Sequence, residues 1–252
     1  MAGLPLHLQN EANVSALAEF EFTGQAGTDP LVYLSIGYGV GAGVIVGDNL
    51  LTGQKGFAGK VGHAILQANG PLCSCGRRGC ADALIGLGSL LGTEKPSHTA
   101  LDQLFEKVAQ GHPQTCAAVT VAGEQLGILL NNLWAAFDPM AIVIGGPAVR
   151  LGDTLIAPAR RVLGEYADAA MLTAPEIRTS RFGADVVAVG GAALARHRLT
   201  RPLDLQSMAR RGDKAGRLER ATGCCRSFRA CSRDMQGPRC VRSSLVGWHT
   251  NS

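Results

Sequence analysis

A chain of 252 residues, 46% hydrophobic and 17% charged, is long enough to bury a sizeable core in one or two domains and too apolar to be a disordered polymer. No apolar run reaches the roughly eighteen residues of a membrane span, and residues 1–20 have neither a basic start nor a continuous apolar segment, so a cytoplasmic protein without a membrane partner is expected. The formal net charge of +4 is local in origin: residues 207–252 hold ten Lys/Arg against three Asp/Glu, which leaves residues 1–206 slightly acidic.

Residues 1–206 read as alternating helices and strands. Asn10 opens a short helix, "NEANVSALAEFEF", in an N-cap role with apolar positions on one face. "LVYLSIGYGVGAGVIVGDNLLTG" reads as two strands, 31–36 and 42–47, joined by a glycine-rich turn. Beyond a cysteine-rich loop, a helix is expected over 81–91. "TALDQLFEKVAQGH" and "PQTCAAVTVAGEQLGILLNNLWAAF" follow as helices, the second long and apolar enough to lie against a sheet. "AIVIGG" is a buried strand ending in a glycine turn, and "GDTLIAPARRVLGEYAD" is the next helix. A strand over 175–180 and the helix "ADVVAVGGAALARHRL" complete an α/β pattern without internal repeats.

The loop "GHAILQANGPLCSCGRRGC" places His63, Cys73, Cys75 and Cys80 in one Gly- and Pro-punctuated stretch. Four soft ligands at this spacing fit a tetrahedral Zn²⁺ site of the Cys₃His type, and with every position filled by protein the site is structural. A loop this small lacks the apolar surface to hold its own shape, which a metal cross-link supplies. A disulfide or free core cysteines are the rival readings, set against the reducing compartment expected here.

Three other elements carry chemistry. "GYGVGAG", with Gly37, Gly39, Gly41 and Gly43 at alternate positions, suits close backbone approach to a phosphate, and equally a tight glycine hairpin. Gly145 and Gly146 end a strand where a purine or ribose fits against backbone, or where a plain strand-to-helix turn is made. In "NEAN", Asn10 and Glu11 pair an amide with a carboxylate, a set that binds one sugar hydroxyl and accepts a proton from another, or that simply starts a solvated helix.

Taken in order, these elements resemble the ROK family of repressors, open reading frames and kinases, over about residues 5–200. The resemblance rests on "NEAN", the glycine hairpin, "AGKVGH", "GPLCSCGRRGC" with the ten-residue step from His63 to Cys73, "FDPMAIVIGG" and "ADVVAVGGAAL". It implies an actin/hexokinase-type ATPase fold of ribonuclease-H-like lobes, with sugar in the cleft and a zinc loop inserted. It further implies that Asn10 binds sugar hydroxyls, that Glu11 stands at the kinases' catalytic Asp, that His63 both ligates zinc and touches sugar, and that Asp82 is the acid following the last cysteine. Gly39, Gly41, Gly145 and Gly146 fall on nucleotide-contact segments.

Two departures stand out. Lys60 occupies the place of a sugar-binding Glu, a donor in place of an acceptor, and Tyr38 replaces a small hydroxyl residue in the hairpin. No Asp-x-Gly-Gly-Thr phosphate loop and no helix-turn-helix module precede "NEAN", so the chain is expected to be the C-terminal part of a ROK protein with its first lobe largely missing. Glu in place of Asp favours a sugar-sensing transcriptional regulator that binds a small sugar or amino sugar, contacts DNA only through the absent module, and forms a homodimer. The alternative is an incomplete or degenerate ATP- and Mg²⁺-dependent sugar kinase of glucokinase type. Residues 207–252, with Cys224, Cys225, Cys231 and Cys240, have no apolar periodicity and read as a basic, solvated, disordered tail, against the rival of a nucleic-acid arm. Their abrupt change of composition also fits a shifted reading frame.

Overall fold

In the computed structural model of the chain, the described residues are 7–22, 30–93 and 95–200. The segment from residue 207 and the boundary at 206 lie outside them. Five strands form one mixed sheet in the order β3-β2-β1-β4-β5. β1 (Leu31–Ile36) pairs antiparallel with β2 (Val40–Val46), and β2 with the two-residue β3 (Asn49–Leu50). β4 (Ala141–Gly145) runs parallel to β1, and β5 (Glu176–Thr179) parallel to β4. The α/β expectation therefore holds, with β2 starting two residues before the expected position and β3 added.

Both faces of the sheet are covered, so β1 and β4 are buried at every position and read as continuous apolar runs. Val32, Leu34, Ile36, Ile142 and Ile144 face a core built with α5 (Pro113–Phe137) and α6 (Asp153–Ala170). Leu31, Tyr33, Ile45 and Val143 face the opposite core, built with α1 (Glu11–Phe22) and α7 (Val186–Thr200). The period of two along each strand sorts the side chains between these layers. Helix α4 (His98–Ala109) starts at Ser97, whose hydroxyl accepts from the Ala100 amide at 3.1 Å, and packs against α5.

Helix α1 departs from its expected single apolar face. Asn10 does cap it, its side-chain oxygen accepting from the Ala12 amide at 2.8 Å, but Ala12–Phe20 are buried on every side, Asn13, Ser15 and Glu19 included. The cause is close packing between β2 and α7. A Cβ on Gly43 would overlap the Ala12 carbonyl oxygen and lie 2.6 Å from the Ala16 Cβ, and one on Gly190 would overlap the Val14 carbonyl. Gly43→Ala is accordingly expected to destabilise the protein by about 2 kcal/mol through overpacking, lowering Tm by roughly 4–8 °C for a domain of this size. Gly164→Ala, on α6 with nothing within 4 Å of the added methyl, should leave Tm unchanged or raise it. Thermal unfolding of the two variants checks the pair.

The helix expected over 81–91 is broken in two, α2 (Ala81–Ile85) and α3 (Leu87–Leu90). Gly86 between them is extended, at φ −60° and ψ 145°, and presses against the hairpin: a Cβ there would sit 2.7 Å from the Tyr38 carbonyl oxygen. The Leu87 amide donates to the Gly37 carbonyl at 2.9 Å. The break thus fastens the turn of the β1–β2 hairpin to the start of α3. Among the described residues no helix is long and apolar enough to cross a membrane.

Candidate functional site

The β1–β2 hairpin, the start of α1 and the residues around the 3₁₀ turn Val61–His63 enclose a cavity of ≈ 410 Å³. Asn10, Glu11, Ser35, Lys60, His63 and Asp82 contribute its polar walls, with the backbone of Gly39 and Gly41 between them. Glu11 lies in the first turn of α1, where the helix dipole favours a carboxylate, and the Ser35 hydroxyl donates to its Oε1 at 3.4 Å. Ser35 was not singled out from the sequence; a small polar side chain in a buried strand otherwise made of aliphatic residues and one tyrosine is the signal that would have found it.

Asp82 joins three parts of the site. Its Oδ1 accepts from the Val40 amide at 2.6 Å, and its Oδ2 is 3.5 Å from His63 Nδ1. Two glycines make this approach possible. A Cβ on Gly62 would collide with the carboxylate and with the Val40 carbonyl, and one on Gly39 would lie 3.3 Å from both carboxylate oxygens. Asp82 therefore ties the hairpin and the 3₁₀ turn to the first turn of α2, immediately after Cys80.

Behind His63 the four cysteine-loop residues come together as their spacing predicts. One donor atom from each of His63, Cys73, Cys75 and Cys80 lies within 4.8 Å of all the others. Cys73 Sγ is 3.8 Å from His63 Nδ1, and Cys75 Sγ is 3.6 Å from Cys80 Sγ, so these thiols are free, not disulfide-bonded. Tetrahedral metal bonds of about 2.3 Å to sulfur and 2.0–2.1 Å to nitrogen space their donors about 3.6–3.8 Å apart, the range in which these two pairs lie. The thiols differ in acidity. Cys75, exposed, is lowered to about 6 by hydrogen bonds from the Arg77 amide and then its side chain. Cys80 is pushed up to about 12 by burial and by its contacts with Cys75 and Cys73. Short antiparallel bridges, Ile65 with Cys80 and Leu72 with Arg78, complete the loop.

The remaining sequence-predicted residues sit apart from this cavity's polar walls. Gly145 makes room for the Tyr33 hydroxyl, which a Cβ would overlap, and Gly146 turns the chain at φ 85° with Ile36 O 2.6 Å from a Cβ position. Both are accounted for by packing at the end of β4.

The sequence pattern of the ROK family matches residues 1–198. The chain belongs to the ROK family. Its relatives include both regulators and kinases. It is 28% identical over 207 residues to the xylose repressor of Caldicellulosiruptor bescii, covering 76% of this chain and 52% of that protein. A ROK hexokinase from Thermus thermophilus superposes with a TM-score of 0.64 at 34% identity, over 76% of this chain and 67% of the other. A ROK glucokinase from Streptomyces griseus, solved with glucose and AMPPNP, gives 0.67 at 26% identity, over 77% and 69%. The chain spans about half the length of the curated repressors it matches. The mixed sheet is thus that of ROK sugar kinases and their actin-like ATPase fold, and the ROK membership inferred from "NEAN", the hairpin and the cysteine loop holds.

Proposed function

We propose that this ROK chain is the sugar-binding part of a transcriptional regulator, holding a small sugar or amino sugar beside a structural Zn²⁺. The observation that carries the reading is that one carboxylate, Asp82, joins the polar cavity to the Cys₃His cluster through His63. His63, Cys73, Cys75 and Cys80 would hold the zinc. The metal supplies a cross-link for a loop whose apolar side chains Ile65 and Leu72 are 54% and 64% exposed and contribute little core.

The protein's own groups then do the recognition. Asn10 offers amide donors and an acceptor to hydroxyls at the mouth of α1, although its side-chain oxygen already caps the helix. Glu11 accepts from a second hydroxyl, and Asp82, fixed by the Val40 amide, sets a carboxylate beside the His63 ring at the cavity wall. ROK regulators and ROK kinases share this framework, and three residues favour the regulator here. Glu11 is one methylene longer than the Asp expected of a kinase base, Lys60 donates where an acceptor is expected, and Tyr38 sets a half-exposed ring at the hairpin turn. Under this reading DNA is contacted by a module outside the matched residues 1–198, and the protein assembles as a homodimer. Under the kinase alternative ATP and Mg²⁺ would be required, with Gly39, Gly41, Gly145 and Gly146 on the nucleotide side.

Isothermal titration with D-glucose, D-xylose, N-acetylglucosamine and N-acetylmannosamine tests the reading. At least one sugar is expected to bind, with an affinity at least tenfold weaker in Asn10→Ala and His63→Ala. Equal affinity in wild type and both variants would place the sugar elsewhere.

A further inference from the structure

The cavity of the candidate site does not end at His63. A second cavity of ≈ 530 Å³ adjoins it and shares Lys60 and His63 as a common wall; its other lining residues are Phe57, Val61, Ala64 and Arg77. The two differ in charge. Both carboxylates, Glu11 and Asp82, line the first cavity, whereas the second has two cations and no acidic side chain in its lining. Neither cation is neutralised by a carboxylate: among the described residues no ion pair involves Lys60 or Arg77. Asp82 is already engaged by the Val40 amide and His63, and Glu11 lies beside Ser35.

We infer that the ligand is an anionic sugar, its hydroxyl-bearing body in the first cavity and its carboxylate or phosphate in the second, against Lys60 and Arg77. The inference rests on the sugar-binding reading above and names the ligand class for the same site. An ammonium and a guanidinium only donate hydrogen bonds, and each is served best by an ionised oxygen, which forms the shorter and stronger charge-assisted bond. A neutral sugar would leave Lys60 with a hydroxyl or water as its best acceptor. Arg77 lines the same cavity, and its guanidinium, with five N–H donors and no acceptor, suits an anionic oxygen on that side. Phe57, 70% exposed on the same wall, gives the outer cavity an apolar side that limits where the anion sits.

Titration calorimetry on the 252-residue chain tests this with D-glucose, D-gluconate, D-glucuronate, D-glucose 6-phosphate and inorganic phosphate, at low and at 0.3 M added salt. At least one charged sugar is expected to bind tenfold or more tightly than D-glucose, with the advantage shrinking in salt as an ionic contact does. The gluconate and glucuronate arms against the 6-phosphate arm decide between carboxylate and phosphate. Lys60→Glu and the milder Lys60→Gln should abolish the advantage, read as the ratio of the charged-sugar and D-glucose affinities within each variant, while Lys55→Glu, a charge change lining neither cavity, should preserve it. D-Glucose binding as tightly as every charged form, or an advantage that survives both Lys60 variants, would overturn the inference and leave the sugar site standing. Inorganic phosphate binding as tightly as the 6-phosphate would overturn it as well, since no sugar body would then be read. Failure of all five probes to bind would count against the sugar reading itself.

Discussion

Cys75→Ser protein purified under reducing conditions is expected to contain essentially no zinc, against about one ion per wild-type chain. Serine matches cysteine in size but not in affinity for a borderline-soft ion, and Cys75 is exposed, so the change removes a ligand without opening a cavity. The loop has little else to hold it. Ala64 and Leu66 pack against the core and Cys73 and Cys80 are buried, but Ile65 and Leu72 face solvent, and the rest of the loop is held by backbone hydrogen bonds such as Cys73 N to Arg77 O at 2.8 Å. Structural zinc sites contribute folding free energy outright, so wild type should lose thermal stability on chelation and the variant should not respond. The pH dependence has a defined sign. Cys80, pushed up to about 12, carries its proton in the metal-free protein at neutral pH and must release it to ligate. Zinc affinity is therefore expected to fall as pH falls, measured by competition with a chromogenic chelator. A wild-type metal content near zero by elemental analysis, with the thiols titrating as free, would refute the zinc assignment.

Supplied with glucose, N-acetylglucosamine or N-acetylmannosamine together with ATP and Mg²⁺, the chain is expected to release no sugar-dependent ADP. Phosphoryl transfer is almost wholly a matter of positioning and charge stabilisation. A general base has to lie within about 3 Å of the hydroxyl it deprotonates, and a misplacement of about 1 Å costs on the order of a hundredfold. Glu11 carries its carboxylate one methylene further from the backbone than Asp, Lys60 presents a cation where an acceptor is expected, and the Tyr38 ring occupies the turn of the hairpin. These three act on different parts of one transition state. Turnover near about 1 s⁻¹, the lower end of ordinary kinase rates, that disappears in Glu11→Gln would make the kinase alternative correct.

What the sequence disclosed follows from how local each signal is. The Cys₃His quartet was legible because its four residues span only eighteen positions and their chemistry is specific, and the structure brings them together. The capping role of Asn10 and the strands β1 and β4 were legible for the same reason, one from a local hydrogen-bond pattern and the others from continuous apolar runs. Burial of α1 on all sides was not, because it depends on α7, which lies about 170 residues further along the chain. Gly62 and Gly86 read as ordinary loop and helix glycines. Their reason, the close approach of Asp82 and of the Tyr38 carbonyl, exists only once the hairpin has docked on α2. Two of the four hairpin glycines face a helix: Gly43 is packed tightly and Gly41 has Ala12 Cβ at 3.5 Å, so alternation served sheet-to-helix packing as well as the cavity wall.

The central claim is that sugar and metal occupy adjoining sites joined by His63, and diffraction from crystals soaked in sugar tests it most directly when data are collected on both sides of the zinc absorption edge. The account predicts one anomalous peak among His63, Cys73, Cys75 and Cys80, and sugar density in contact with Asn10, Glu11 and His63. Sugar density away from these three residues, or its retention there after the metal has been stripped and the cysteine loop has lost its order, would contradict it.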